Sequence, residues 1–145
     1  HKGDIKVIYS MADTKHYIPM PEIPGEKDFN PYYMMLKMDI NKPLYICNHI
    51  LCIVNYQQDG MTSRVLQSYE ECPVSYAMLR EAYLEHQEIP CMFAYRQCIH
   101  YVSSWIFAKR QKKKVNSLWR RKLVWMAVIP GVILNMWVCW KNRRH

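Results

Sequence analysis

The chain has 145 residues, of which 50% are hydrophobic and 22% charged, and 20 Lys and Arg against 12 Asp and Glu leave a net charge of +8. This composition excludes a disordered chain, suits one domain or one small domain plus an appendage, and favours an anionic partner: nucleic acid, phospholipid headgroups or an acidic protein surface. With 4 glycines and neither a GxGxxG nor a GxxxxGK[ST] pattern, the sequence holds no phosphate-cradling loop.

Residues 1–29 show no helical period. Pro19, Pro21, Pro24 and Gly25 punctuate them, which predicts an extended arm with turns that lies on another protein or in solvent. The stretch "DIKVIY" (4–9) suits one short strand.

Residues 30–115 read as a small helical domain. Asn30 precedes Pro31, Asn41 stands two residues before Pro43, Cys72 precedes Pro73, and Pro90 precedes Cys91. Asn is a good helix N-cap and Pro is tolerated in the first turn. Asp59–Gly60 is a stop signal. These marks predict helices over 31–39, 42–58, 73–88 and 91–114, with 61–71 a turn or short helix. For "PLYICNHILCIVNY" (43–56) a buried strand is the alternative, because β-branched residues are frequent there. In 91–114 the residues Cys91, Ala94, Cys98, Tyr101, Val102 and Trp105 fall on one helical face, and the stretch then turns basic in "AKRQKKK" (108–114).

Residues 116–145 form a basic segment followed by an apolar run. From Leu123 to Trp140 no residue is charged and only Asn135 is strongly polar. A helix of that length reaches roughly 27 Å, close to a bilayer core, and the run shows no polar stripe. Arg120, Arg121 and Lys122 precede it, and Lys141, Arg143 and Arg144 follow it. Trp119, Trp125, Trp137 and Trp140 stand near its ends, where indole favours the lipid–water interface. The sequence therefore predicts a single transmembrane helix over about 123–140. Pro130–Gly131 mark a kink and a close packing site for a neighbouring helix. Lys114, Arg120, Arg121, Lys122 and Lys141 are the candidate headgroup contacts, with anionic phospholipid such as cardiolipin as the partner. Basic residues beside a Trp also suit nucleic acid, but directly before an apolar run they read as lipid anchors, so no nucleic-acid partner is expected. More cations precede the run than follow it, which puts the N-terminal bulk on the cytoplasm-like or matrix side.

Six cysteines, Cys47, Cys52, Cys72, Cys91, Cys98 and Cys139, invite metal or disulfide readings. Their spacings are C-x4-C and C-x6-C, not the C-x2-C of a zinc knuckle or an iron–sulfur spacing. On one helix Cys91 and Cys98 are about 10 Å apart along the axis, beyond the roughly 7 Å that a disulfide spans. Free, buried thiols are expected. "REAYLEHQE" (80–88) offers Glu81, Glu85, His86 and Glu88, but lacks the HExxH or ExxH spacing of a metal-binding helix, and reads as a solvated face. No catalytic residues, metal or cofactor are expected.

"LWRRKLVWMAVIPGVILNM" (118–136) resembles the transmembrane segment of subunit VIa of cytochrome c oxidase. The resemblance rests on a Trp–basic entry (Trp119–Arg120), an apolar helix from Leu123, the central Pro130, Gly131 and Val132, and Met136 four residues after that Val. Trp119 lies one residue further from Pro130 than in that pattern, and the family has a short N-terminal part where this chain has a long one. The resemblance implies a non-catalytic, single-span accessory subunit of a mitochondrial inner-membrane respiratory complex, with its basic N-terminal side in the matrix. A free-standing tail-anchored adaptor or assembly factor is the second expectation.

Overall fold

The computed structural model describes residues 8–39, 49, 64–86, 89–118 and 121–144. Among them every regular element is helical. Apart from His49, the expected helix 42–58, with Cys47 and Cys52, lies outside the described residues, as do Glu88, Trp119 and Arg120.

The arm is more structured than its prolines suggest. It holds a short helix, α1 (Met11–Thr14), and a 3-10 turn (Lys15–Tyr17), then runs without regular structure to Asn30. It lies on its own chain. Tyr9 donates to Asp39 Oδ2 at 3.2 Å and Tyr17 to the Lys37 carbonyl at 3.3 Å.

Helix α2 (Tyr32–Asp39) starts where Asn30 caps it: the Tyr32 N–H donates to Asn30 Oδ1 at 3.0 Å. After it come α3 (Val65–Glu71), a short helix within the expected 61–71 segment, and α4 (Pro73–Glu85), three residues shorter than expected. Cys72, the N-cap of α4, makes no side-chain cap. The cap comes instead from the arm. Glu26 accepts from the Val74 and Ser75 N–H groups at 2.9 and 2.8 Å, and also receives Lys113 Nζ at 3.1 Å. A carboxylate at a helix N-terminus satisfies orphan donors and meets the positive end of the dipole. This one is almost wholly enclosed, its side chain 1% exposed.

Helix α5 (Cys91–Arg110) is the central element, with Ala94, Gln97, Cys98, Tyr101, Val102, Ser103, Ser104, Phe107 and Ala108 all buried. It stops four residues short of the expected end. Lys112 takes the left-handed conformation at φ 57. The Lys113 N–H then bonds to the Ala108 carbonyl and the Lys112 N–H to that of Lys109, the paired bonds of a Schellman ending. No Gly marks this stop, so composition gave no sign of it. Helices α4 and α5 run antiparallel: Tyr83 meets Phe93, Arg80 donates to Gln97 Oε1, and Tyr69 and Tyr76 reach the Phe107 end.

Residues 111–118 return along α5. The Tyr101 hydroxyl fastens them, donating to the Asn116 carbonyl and accepting from the Leu118 N–H at 3.1 Å. The return makes the C-terminal helices parallel to α5.

The C-terminal run is not one helix, so the single helix expected over about 123–140 is not seen. It forms α6 (Lys122–Met126) and α7 (Val128–Asn142), and no described helix is long and apolar enough to cross a membrane. Pro130 is the cause. It has no N–H to offer the Met126 carbonyl four residues back, so the ladder breaks there, and the Ala127 N–H is shared between the Leu123 carbonyl and, in a tighter turn, that of Val124. The stranded Met126 carbonyl accepts from the Tyr95 hydroxyl of α5 at 3.3 Å.

The run also has two faces, where none was expected. Val124, Ala127, Gly131, Asn135 and Val138 are buried, spaced at three and four residues as a packed helix face requires. Gly131 admits a close neighbour, and that neighbour is α5 of the same chain. A Cβ at Gly131 would stand 2.6 Å from Val102 Cβ. Asn135 donates from Nδ2 to the Ser103 carbonyl at 3.2 Å, so the one strongly polar residue of the run ties two helices together.

Candidate functional site

The residues that α6 and α7 turn away from α5 form the candidate site. Trp125, Met126, Ile129, Val132, Ile133, Met136, Trp137 and Trp140 are all exposed, with Ile129 74% and Met136 63% accessible. At about 100° per residue they cover an arc of roughly 140°, opposite the buried stripe. Scattered exposed hydrophobics are ordinary on a protein surface, but a contiguous face of this extent marks an interaction surface.

Both ends of this face are cationic. Lys122 is exposed at the start of α6, and Arg143 and Arg144 are exposed just past α7. At the far end the cations are held by rings: Lys141 Nζ lies 5.3 Å from the centroid of Trp137, and the Arg144 guanidinium 3.9 Å from that of Trp140. Lys109 makes the same contact with Trp105 at the end of α5, at 5.3 Å. Each pair has the Trp four residues before the cation. That i, i+4 spacing is present in the sequence itself. Residues 121–144 contain no Asp or Glu, so no acid of this segment neutralises the two ends.

The structure separates the predicted headgroup residues. Lys122 and Lys141 stand at opposite ends of the exposed face. Lys114 is exposed on the return segment. Arg121 turns partly inward and donates from Nη1 to the Leu84 carbonyl at 2.8 Å, which closes the end of α4. Pro130 is half-buried and Gly131 fully buried, so both serve packing within the chain.

The acidic stretch on α4 is not simply a solvated face. Glu85 pairs with Lys37 of α2, and His86 Nε2 lies 3.2 Å from the Leu36 carbonyl. Glu81 accepts from Asn116 Nδ2 at 3.1 Å, and its other oxygen is buried with no hydrogen-bond partner among the described residues. Burial raises the Glu81 carboxyl above its usual range, against the effect of the Asn116 amide. These contacts fasten α2 and the return segment to α4. A buried polar cluster lies nearer α3: Tyr69 donates to the His100 carbonyl at 2.8 Å, and its oxygen lies 3.2 Å from His100 Nδ1. Burial, then the charges of Arg80 and Arg96, hold the His100 imidazole down at about 4.

Among the described residues no group of three His, Cys, Asp or Glu side chains is placed to hold a metal ion. Cys72, Cys91, Cys98 and Cys139 are free, with Cys72 and Cys98 buried and Cys91 exposed.

The fold and the face define a protein that is all-helical among the described residues, with a C-terminal helix pair that is apolar outward and basic at both ends. No protein-family model matches the chain, and neither a curated protein nor a solved structure is significantly similar to it.

Proposed function

We propose that this chain is a non-catalytic accessory protein of a membrane complex, attached to lipid by the outer face of α6 and α7. The observation that carries this reading is the contiguous Trp, Met and Ile surface with cations at both ends. Apolar side chains leave water on contact with acyl chains, and the cations meet lipid phosphates. In this reading the complex is a respiratory one of the mitochondrial inner membrane, with cytochrome c oxidase as the candidate and the N-terminal bulk on the matrix side. That placement rests on the resemblance of 118–136 to oxidase subunit VIa. The role is to stabilise the assembly and to bind anionic phospholipid such as cardiolipin.

The free-standing membrane adaptor is kept as a second reading because of one observation. The C-terminal helices complete the chain's own core through Gly131 against Val102 and Val138 beside Phe107. A chain that closes its core in this way has less need of a larger complex to fold on.

Gentle detergent extraction of native membranes, native electrophoresis and mass spectrometry separate the two readings. Co-migration in stoichiometric amount with a large respiratory assembly is the expected result, and its companions name the complex. Migration alone at low mass discards the subunit reading in favour of the adaptor.

A further inference from the structure

We infer that α6 and α7 lie in the plane of an anionic membrane surface, as one interfacial element, instead of crossing it. This rests on the membrane attachment proposed above and specifies its geometry.

Three observations carry it. First, one side of the element is occupied: Val124, Ala127, Gly131, Asn135 and Val138 are buried within the chain. A spanning helix in this position would take its own protein partner into the bilayer. That partner is α5, which carries Arg96, Gln97, His100, Ser103 and Ser104 within its length, and polar groups of this kind are costly at membrane depth. Second, the outward residues form a stripe and not a full circumference, the pattern of a helix whose apolar face enters only the headgroup–acyl boundary. Third, the charges sit where an in-plane element needs them. From Lys122 to Asn142 the two helices extend roughly 30 Å at 1.5 Å per residue. Lys122 at one end, and Arg143 and Arg144 at the other, fall at about the same angle around the axis as Ile129, Ile133 and Trp140. Both ends therefore meet the same leaflet. In a spanning helix they would face opposite leaflets.

The occupant is the surface of a bilayer that contains anionic phospholipid, chosen by charge complementarity: a face with cations at both ends and no carboxylate in residues 121–144 fits a sheet of phosphates. The tryptophans suit the boundary between headgroups and acyl chains.

The test is flotation of the full chain with two kinds of vesicle, phosphatidylcholine alone and phosphatidylcholine mixed with cardiolipin, with tryptophan quenching by lipids brominated at different depths. Expected are salt-sensitive flotation with the cardiolipin vesicles only, and strongest quenching from the shallow bromine positions. Lys141→Gln with Arg144→Gln should weaken that binding about thirtyfold, from two cations at a leaflet surface. Ile133→Glu should weaken it at least tenfold with unchanged circular dichroism, because that side chain is 61% exposed and belongs to neither core cluster. Strongest quenching from the bilayer centre would overturn the proposal in favour of a span. Absence of flotation would overturn it too. So would an Ile133-dependent dimer in place of vesicle binding, since the face would then join two copies of the chain. The membrane-complex reading fails separately: vesicle binding without co-migration in a native complex removes that reading alone, and co-migration without vesicle binding removes only the in-plane geometry.

Discussion

Lys113 Nζ lies 3.1 Å from Glu26 Oε1 across 87 positions of the chain, and the same carboxylate caps the first turn of α4. One side chain thus joins the arm, the start of α4 and the segment just past α5. Glu26→Ala should destabilise the fold by about 2–4 kcal/mol, since it removes a cap and leaves a half-buried ammonium without its partner. Lys113→Met should cost less, because the two backbone N–H groups still hold the carboxylate. Urea unfolding of the two single variants and the double variant should give a coupling of about 0.5–3 kcal/mol. Simple additivity would mean that the pair does not act as a unit.

Gly131→Ala should destabilise by about 1–3 kcal/mol, the usual effect of overpacking a tight helix contact. The added methyl would meet Val102 Cβ at 2.6 Å and the Ile99 carbonyl at 3.1 Å. Combining it with Val102→Ala should restore part of the loss, which thermal unfolding of the three variants would reveal. A neutral Gly131→Ala would show that α5 and α7 do not meet closely at this position.

Pro130→Ala should join α6 and α7. The new N–H can bond to the Met126 carbonyl, which Tyr95 now serves at 3.3 Å. Helical circular dichroism should rise, and the amide at position 130 should exchange slowly. Tyr95→Phe alone should cost about 1 kcal/mol, and nearly nothing in the Pro130→Ala background. An equal cost in both backgrounds would show that Tyr95 does not serve this carbonyl.

Stability should fall on acidification between pH 6.5 and about 4, the ordinary and the folded values for His100. The sign follows from burial. The unfolded imidazole binds its proton first as pH drops, so each step down favours the unfolded chain until the folded imidazole is protonated as well. Glu81 acts in the opposite sense, because its raised folded value makes the folded state take up the proton first. Unfolding midpoints measured across this window should show a shallower acid-side decline in His100→Asn and a steeper one in Glu81→Gln. A parallel decline in wild type and His100→Asn would remove His100 as the cause.

Much of the helical layout was legible because the signals are local. Asn30 before Pro31 opens α2, Pro73 opens α4, and Cys91 to Trp105 share a helical face; each depends on neighbours within one or two turns. The composition of 123–140, the basic residues at its ends and the prolines of the arm were also plain. The end of α5 was less so, since a Lys and not a Gly adopts the left-handed turn at 112.

By itself, then, the sequence determined a helical chain with a basic-ended apolar C-terminus, because short-range spacing and composition suffice for that. What surrounds that apolar run was decided only by the tertiary structure. The partner of Gly131 is Val102, the partner of Asn135 is Ser103, and the cap of α4 is Glu26, each from a distant part of the chain. An apolar residue carries the same hydrophobic drive whether α5 or lipid will cover it. Only the fold shows which side of the helix is already occupied and which is left for a partner.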